Sequence, residues 1–308
     1  MHRSYGERVA ELNTILGLSG TEQGKIEMIR QKLTEVLRDE NARFWELYAQ
    51  FAYQTVTEMQ AYQAHIRRIL SNLDLEGMSS GGFLVDLGCG MGNLIEEASK
   101  IAPQKTHLMG VDRNPAMLRW AEVRRERINQ TLSGGPSIDL IQASIDPSLA
   151  LPLNTNRVSM VNSLYALGND QSAVLEAIYQ QVNPGAKLLI CDRNPGGTIG
   201  GVLYEEWQRR LGNSIENLML PDEWDTNDGE KLIELIHTVF GEESERKAHL
   251  IVAIFNQIIA SANGGHQMHF SEPEQLKKII ESAGFRVTDK PKLTYGNSCT
   301  IVTGQKVE

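Results

Sequence analysis

The sequence predicts an α/β protein built on a doubly wound, mostly parallel sheet, and three observations carry that prediction. Short apolar runs alternate with amphipathic stretches from residue 83 onward, the rhythm of strands joined by crossover helices. Those runs are short and mostly apolar, as strands covered on both faces are. The first of them, FLVDL at 83–87, opens into GCGMG at 88–92 and then into the amphipathic NLIEEASK at 93–100. Three glycines in five positions are costly to order, because glycine loses the most backbone freedom on folding. A bare turn between a strand and a helix lies at the carboxyl edge of a parallel sheet, where ligands bind.

The elements follow in order. Residues 1–78 read as an N-terminal helical cap, with a short helix through Ile26, Ile29, Leu33 and Leu37. A longer stripe then runs through Phe44, Leu47, Phe51, Met59, Tyr62, Ile66, Ile69 and Leu70. EGMSSGG at 76–82 ends that pattern. Strands are predicted at 83–87, 107–112, 138–143, 158–164 and 187–192, with helices at 93–101, 115–130 and 171–182. Residues 196–265 then break the rhythm with a helical pattern carrying Tyr204, Trp207, Trp224, Phe240 and Phe255, an insertion after strand five. Alternation resumes with SEPEQLKKIIESAGFRV at 271–287 and SCTIVTGQK at 298–306. The core is therefore expected in 79–195 and 266–308, with 196–265 as a lid that selects substrate.

Composition narrows the partners. The 308 residues carry 39 acidic and 30 basic side chains, a formal charge of −9, which is not the basic footprint of a nucleic-acid binder. The local basic run RWAEVRRERIN at 119–129 reads as a solvated helix face. No uncharged apolar run approaches the roughly 20 residues that span a bilayer. The start, MHRSYGERVAELN, lacks the apolar centre of a signal peptide, so no membrane partner and a cytoplasmic location are expected. Cys89, Cys191 and Cys299 are far apart, a spacing of neither a disulfide framework nor a zinc knuckle, and no metal is expected.

Two ligand classes use such a glycine turn. Dinucleotide folds take G-x-G-x-x-G, whereas Gly88, Gly90 and Gly92 are spaced G-x-G-x-G and Asn93 holds the place of the last dinucleotide glycine. Asp86, two residues before the first glycine, suits a cationic ligand better than an anionic pyrophosphate. VDLGCGMGN resembles the first motif of the class I S-adenosylmethionine-dependent methyltransferases. The resemblance continues in MGVDRNPAML at 109–118 and returns in HFSEPEQLKKIIESAGF at 269–285. It implies a Rossmann-like, seven-stranded sheet and S-adenosyl-L-methionine as cofactor. It gives Gly88, Gly90 and Gly92, with Cys89 among them, the methionine part of the cofactor. Asp86 takes its ammonium, directly or through water. Asp112, flanked by Arg113, takes both ribose hydroxyls, at a spacing of 20 residues from Gly92 that suits this role. Met117 packs on the adenine. The sequence departs from the family after strand three, where Ala143 and Ser144 stand near the place of an adenine-binding acid; Asp146 is the acid within reach. Asn162 and Tyr165 are the neighbours expected at the end of strand four.

The run of Asn or Asp, two prolines and an aromatic used on DNA amino groups is absent, as are a Pro-Cys nucleophile and a grouped arsenic-binding cysteine set. A small organic acceptor of apolar character is therefore expected, with methyl transfer by direct in-line displacement. Alignment supplies most of the acceleration. A hydroxyl acceptor would also use a base, for which His266, His269 and Asp192 are the candidates. A structural role competes for both histidines, and capping of the turn DRNPGG competes for Asp192. Tyr48, Tyr53, Tyr165, Tyr204 and Trp207 are the candidate acceptor contacts; packing is the competing role for the helix tyrosines. The insertion's aromatics suit either a lid or a homodimer interface. A non-catalytic cofactor-binding scaffold and an NAD-dependent oxidoreductase are the rival functions.

Overall fold

Five parallel strands in the computed structural model follow the alternation read from the sequence, and the chain is described at residue 57 and over 60–132, 134–193, 271–294 and 299–307. Helix α1 (Gln60–Leu73) precedes β1 (Phe83–Leu87), α2 (Asn93–Ser99), β2 (His107–Asp112), α3 (Pro115–Thr131) and β3 (Ser137–Gln142). Then come β4 (Thr155–Val161), a 3-10 turn (Leu164–Asp170), α4 (Gln171–Gln181) and β5 (Lys187–Arg193). The last elements are α5 (Pro273–Ser282), β6 (Arg286–Val287), β7 (Lys292–Thr294) and β8 (Cys299–Gln305). All of 196–265 and most of the N-terminal cap lie outside the described residues, so the lid and its two boundaries do too.

The sheet runs β3-β2-β1-β4-β5-β8-β6, with β7 also paired to β8. β1 to β5 are mutually parallel, and β8 is antiparallel to β5, β6 and β7. The order reverses beside β1, which makes the crevice beyond β1 and β4 a topological switch point. Seven strands were expected and eight are present among the described residues. β6 and β7 are two pieces of one edge: between Val287 and Lys292 that edge advances five residues while β8 advances three. Pro291, which has no N–H to give to a ladder, sits in the interruption, and an edge is where a sheet tolerates it. Strand four also starts and ends three residues earlier than predicted. Asn162 takes a φ of 53°, and this left-handed residue ends the strand at Val161.

Alternation along the strands divides the interior. Val85, Leu87, Val158, Met160, Leu188 and Ile190 pack against α4 and α5 through Val174, Leu175, Ile178, Leu276 and Ile280. Leu84, Asp86, Ser159, Leu189 and Cys191 alternate with them and point to the opposite face. On α1 the buried stripe is His65, Ile66, Ile69, Leu70 and Leu73, the i, i+4 spacing of one helix side. Its carboxyl end is held by Arg157 of β4, which donates from Nε to the Leu73 carbonyl at 2.6 Å and from Nη2 to the Asp74 carbonyl at 3.0 Å. Those carbonyls have no partner inside the helix, so a buried guanidinium satisfies them. Lys187 at the start of β5 donates to the Asp74 carboxylate at 2.9 Å. Among the described residues no helix is long and apolar enough to cross a membrane.

Candidate active site

The glycine turn is pinned before any ligand arrives. Gly88 and Cys89 both donate their N–H groups to the Val111 carbonyl, at 2.8 and 3.0 Å, so the end of β1 is stitched to the end of β2. The three glycines then serve different needs. A Cβ on Gly88 would lie 2.4 Å from the Ser163 Cβ, and one on Gly92 would lie 3.2 Å from the Ala121 Cβ of α3. Among the described residues a Cβ on Gly90 would meet nothing within 4 Å, although its φ of 52° still favours glycine. The resemblance gave all three one role. Here the outer two make room for the protein itself, and the middle one leaves an open face.

Asp112 closes the other side of that opening. Its Oδ2 accepts from Gly90 N at 2.9 Å and its Oδ1 from Asn114 N at 2.8 Å. A carboxylate has about four lone-pair positions, so each oxygen keeps one for a further donor. Burial pushes its pKa up, against the two backbone N–H groups and the Arg113 charge. Arg113 itself is exposed. Asn114 caps α3 through Oδ1, which accepts from Ala116 N at 2.9 Å and from Met117 N at 3.5 Å, and Pro115 follows at the first helical position. Met117 is buried in that first turn.

Asp86 points inward. It is 2% exposed and accepts from Ser159 Oγ at 2.8 Å across the β1–β4 pair. Burial raises its pKa to about 7; the Ser159 hydrogen bond opposes this and the Asp112 charge adds to it. Cys89 turns inward as well, over Gly110, where a Cβ would come within 2.9 Å of its sulfur. Ala143 N donates to the Asp112 carbonyl at 3.2 Å, and Ser144 is exposed. Asp146, also exposed, accepts from the N–H and hydroxyl of Ser148 at 2.8 and 2.5 Å, so its Oδ1 serves its own turn.

At the ends of β4 and β5 a second group forms. Ser163 Oγ donates to the Leu87 carbonyl at 2.7 Å, which fastens the loop after β4 to the glycine turn. Asp192 is 2% exposed; its Oδ2 accepts from Tyr165 N at 2.8 Å and its Oδ1 from Arg193 N at 3.0 Å. Burial raises its pKa to about 7, against those backbone donors. The Tyr165 side chain is buried. Asn162 N donates to the Cys191 carbonyl at 2.7 Å, and its Oδ1 accepts a long contact from Cys299 Sγ at 3.7 Å. The carboxyl edge thus gathers Gly88–Gly92, Asp112 and Ala143 on one side and Asn162, Tyr165 and Asp192 on the other. Tyr48, Tyr53, Tyr204, Trp207, His266 and His269 lie outside the described residues. Ser159, Ser163 and Gly110 were not singled out in the sequence, whereas the Asn114-Pro115 cap has a readable signature.

A family model described as a methyltransferase domain matches residues 59–290. A ubiquinone/menaquinone biosynthesis C-methyltransferase of Klebsiella pneumoniae is 24% identical over 142 residues, covering 46% of this chain and 54% of that protein. The carboxy-S-adenosyl-L-methionine synthase of Dichelobacter nodosus is 28% identical over 118 residues, covering 38% of this chain and 46% of that protein. The chain spans about half the length of these curated relatives. Among solved structures, an O-methyltransferase family 2 protein from Planctomyces limnophilus, in complex with apigenin, aligns over 86% of this chain and 62% of its own. It does so at 14% identity with a TM-score of 0.51, a likeness of fold.

Proposed function

The chain belongs to the methyltransferase-domain family, and from that premise we propose that it transfers a methyl group from S-adenosyl-L-methionine to a small organic acceptor of apolar character by direct in-line displacement. The observation that carries this reading is the open face of Gly90 beside Asp112. There an added Cβ would meet nothing within 4 Å among the described residues, and a carboxylate already holds the turn at 2.9 Å. When bound, the cofactor supplies a methyl group made electrophilic by its sulfonium.

The chain's own residues do the rest. Asp112 accepts the ribose hydroxyls on the lone pairs that Gly90 N and Asn114 N leave unused. Gly90 lets the methionine part lie against the main chain, with Gly88, Cys89 and Gly92 fixing the turn from inside. Asp86 acts on the ammonium through its field and through water, since its side chain is buried against Ser159. Met117, Ala143 and Ser144 border the adenine, and Asn162 closes the far side. Asp192, with both oxygens on backbone N–H groups, positions the loop that carries Tyr165. For a hydroxyl acceptor the base falls to His266 or His269. Tyr48, Tyr53, Tyr204 and Trp207 are assigned to the acceptor, with 196–265 as the segment that selects it or joins two copies. Three free, buried cysteines suit a reducing, cytoplasmic setting.

Calorimetry with S-adenosylmethionine, S-adenosylhomocysteine and NAD tests the cofactor. Binding of both sulfur nucleosides and not of NAD is expected; the reverse pattern would sink the assignment. Labelled methyl donor with a metabolite extract then tests the activity. Tight cofactor binding without any labelled small molecule would instead make the chain a cofactor-binding scaffold.

A further inference from the structure

The sequence spaces its cysteines too widely to suggest a ligand set, yet the fold brings two of them together with a histidine. Cys191 on β5 pairs in register with Ile301 of β8, which puts Cys299, two residues away, on the same face of the sheet. Helix α1 lays His65 over that face. The donor atoms of His65, Cys191 and Cys299 all lie within 4.8 Å of one another, and all three residues are buried. The His65 Nε2 is 3.8 Å from Cys191 Sγ.

We propose that His65, Cys191 and Cys299 form a zinc(II) site that fastens helix α1 to the sheet at the carboxyl edge. Two thiolates and a neutral imidazole are a recognised zinc donor set. Tetrahedral bonds of about 2.0–2.3 Å set donors roughly 3.5–3.8 Å apart, so the cluster needs only a small contraction. Leu189, Ile301 and Ile69 are buried nearby in sequence or fold, together with Thr294, Thr300 and the Asp192 carboxyl beside Cys191. In such a place two thiolates balance a divalent ion, whereas a monovalent one would leave a net negative charge buried.

The outer contacts match as well. Thr294 Oγ1 lies 3.3 Å from His65 Nδ1, which leaves Nε2 turned toward the sulfurs. That is the hydrogen bond by which a metal-binding histidine is oriented. Thr294 is held in turn: it pairs across the strands with Cys299, and its hydroxyl accepts from Arg68 at 3.3 Å. The Asn162 side-chain oxygen lies 3.7 Å from Cys299 Sγ, and the three protein donors leave the fourth tetrahedral position to a water. Binding forms two sulfur–metal bonds and breaks two S–H bonds, so two protons leave for solvent per ion.

Cobalt(II) added to the reduced, chelator-treated full chain is the probe. One equivalent should give the thiolate-to-cobalt absorption of a tetrahedral site, and zinc should erase it. Cys191→Ser and Cys299→Ser should each abolish the band, Cys89→Ser should keep it, and Thr294→Val should weaken affinity about 10–100-fold. A folded wild-type chain with no such band, or a band that survives in the Cys191→Ser/Cys299→Ser variant, overturns the site. Should the serine variants fail to fold, the wild type decides alone. Zinc should raise its thermal midpoint and shield Cys191 and Cys299, but not Cys89, from alkylation; an unchanged midpoint and uniform alkylation overturn the proposal.

Discussion

The two edges of the sheet are built on opposite electrostatic plans. At the amino edge Arg157, Asp74 and Lys187 answer one another and the end of α1. Arg157 reaches the Leu73 and Asp74 carbonyls, and the Asp74 carboxylate meets both Arg157 and Lys187, at 3.5 and 2.9 Å. At the carboxyl edge Asp86, Asp112 and Asp192 are all raised in pKa by burial, and among the described residues none is in an ion pair. One edge satisfies its charges in the folded chain. The other keeps its carboxyls on backbone N–H groups and a hydroxyl, with no basic side chain paired to them among the described residues. The difference separates an edge held by ion pairs from one held by uncharged donors.

The largest effect that would sharpen this contrast is at the amino edge. Arg157→Ala strands two helix-end carbonyls, each costing about 1–3 kcal/mol, so chemical denaturation should show a loss of about 2–5 kcal/mol. A loss below about 1 kcal/mol would mean that the edge is not locked as described. Asp112→Ala comes next. It removes two charge-assisted bonds to a ribose, about 3 kcal/mol together and roughly 100-fold in cofactor affinity by calorimetry. Unchanged affinity in the folded variant would show that the edge holds its ligand elsewhere.

Gly90→Ala is smaller in stability, about 1–2 kcal/mol for the left-handed backbone, yet it should block the cofactor. Gly88→Ala should do the reverse, destabilising through its clash with Ser163, and Ser163→Gly should partly restore it. Equal effects of the two alanines on binding would erase the distinction between the glycines.

The smallest effect is in pH. Asp86 has a folded pKa of about 7, above its ordinary value near 3.9. Its neutral form therefore lends stability that is complete below about pH 4 and lost as pH rises through 7. A cationic ligand favours the ionised form, so affinity should climb with pH up to about 7, by at most tenfold per unit, and then level. Asp112, also raised, titrates in the same direction, so Asp86→Asn should flatten only part of the slope. A slope untouched by Asp86→Asn would free Asp86 of any part in binding.

What the sequence disclosed was local. The strand, bare turn and helix at 83–99 lie in consecutive residues, and Asp112 ends a run whose apolar pattern is plain. The Asn114-Pro115 cap is equally close in sequence. What stayed hidden depends on register or on distant partners. Ser159 meets Asp86 only because β4 pairs with β1, and Arg157 finds Leu73 from 84 residues away. The different roles of Gly88, Gly90 and Gly92 come from Ser163 and Ala121, which no spacing rule connects to them. Cys191 and Cys299 meet because β8 inserts beside β5, an antiparallel step that an alternating pattern does not announce.

That insertion also sets a timetable for synthesis. Of the described strands β8 leaves the ribosome last, yet it lies between β5 and the β6–β7 edge. Roughly a hundred residues separate β5 from β8, which at about 5–20 residues per second leaves β5 without its outer neighbour for roughly 5–20 s. During that interval the buried run KLLICDR is an open edge of apolar side chains, the kind of surface that pairs with other nascent chains. β8 thus covers an edge that β5 exposes during synthesis, and a stall after strand five would leave a species prone to aggregate.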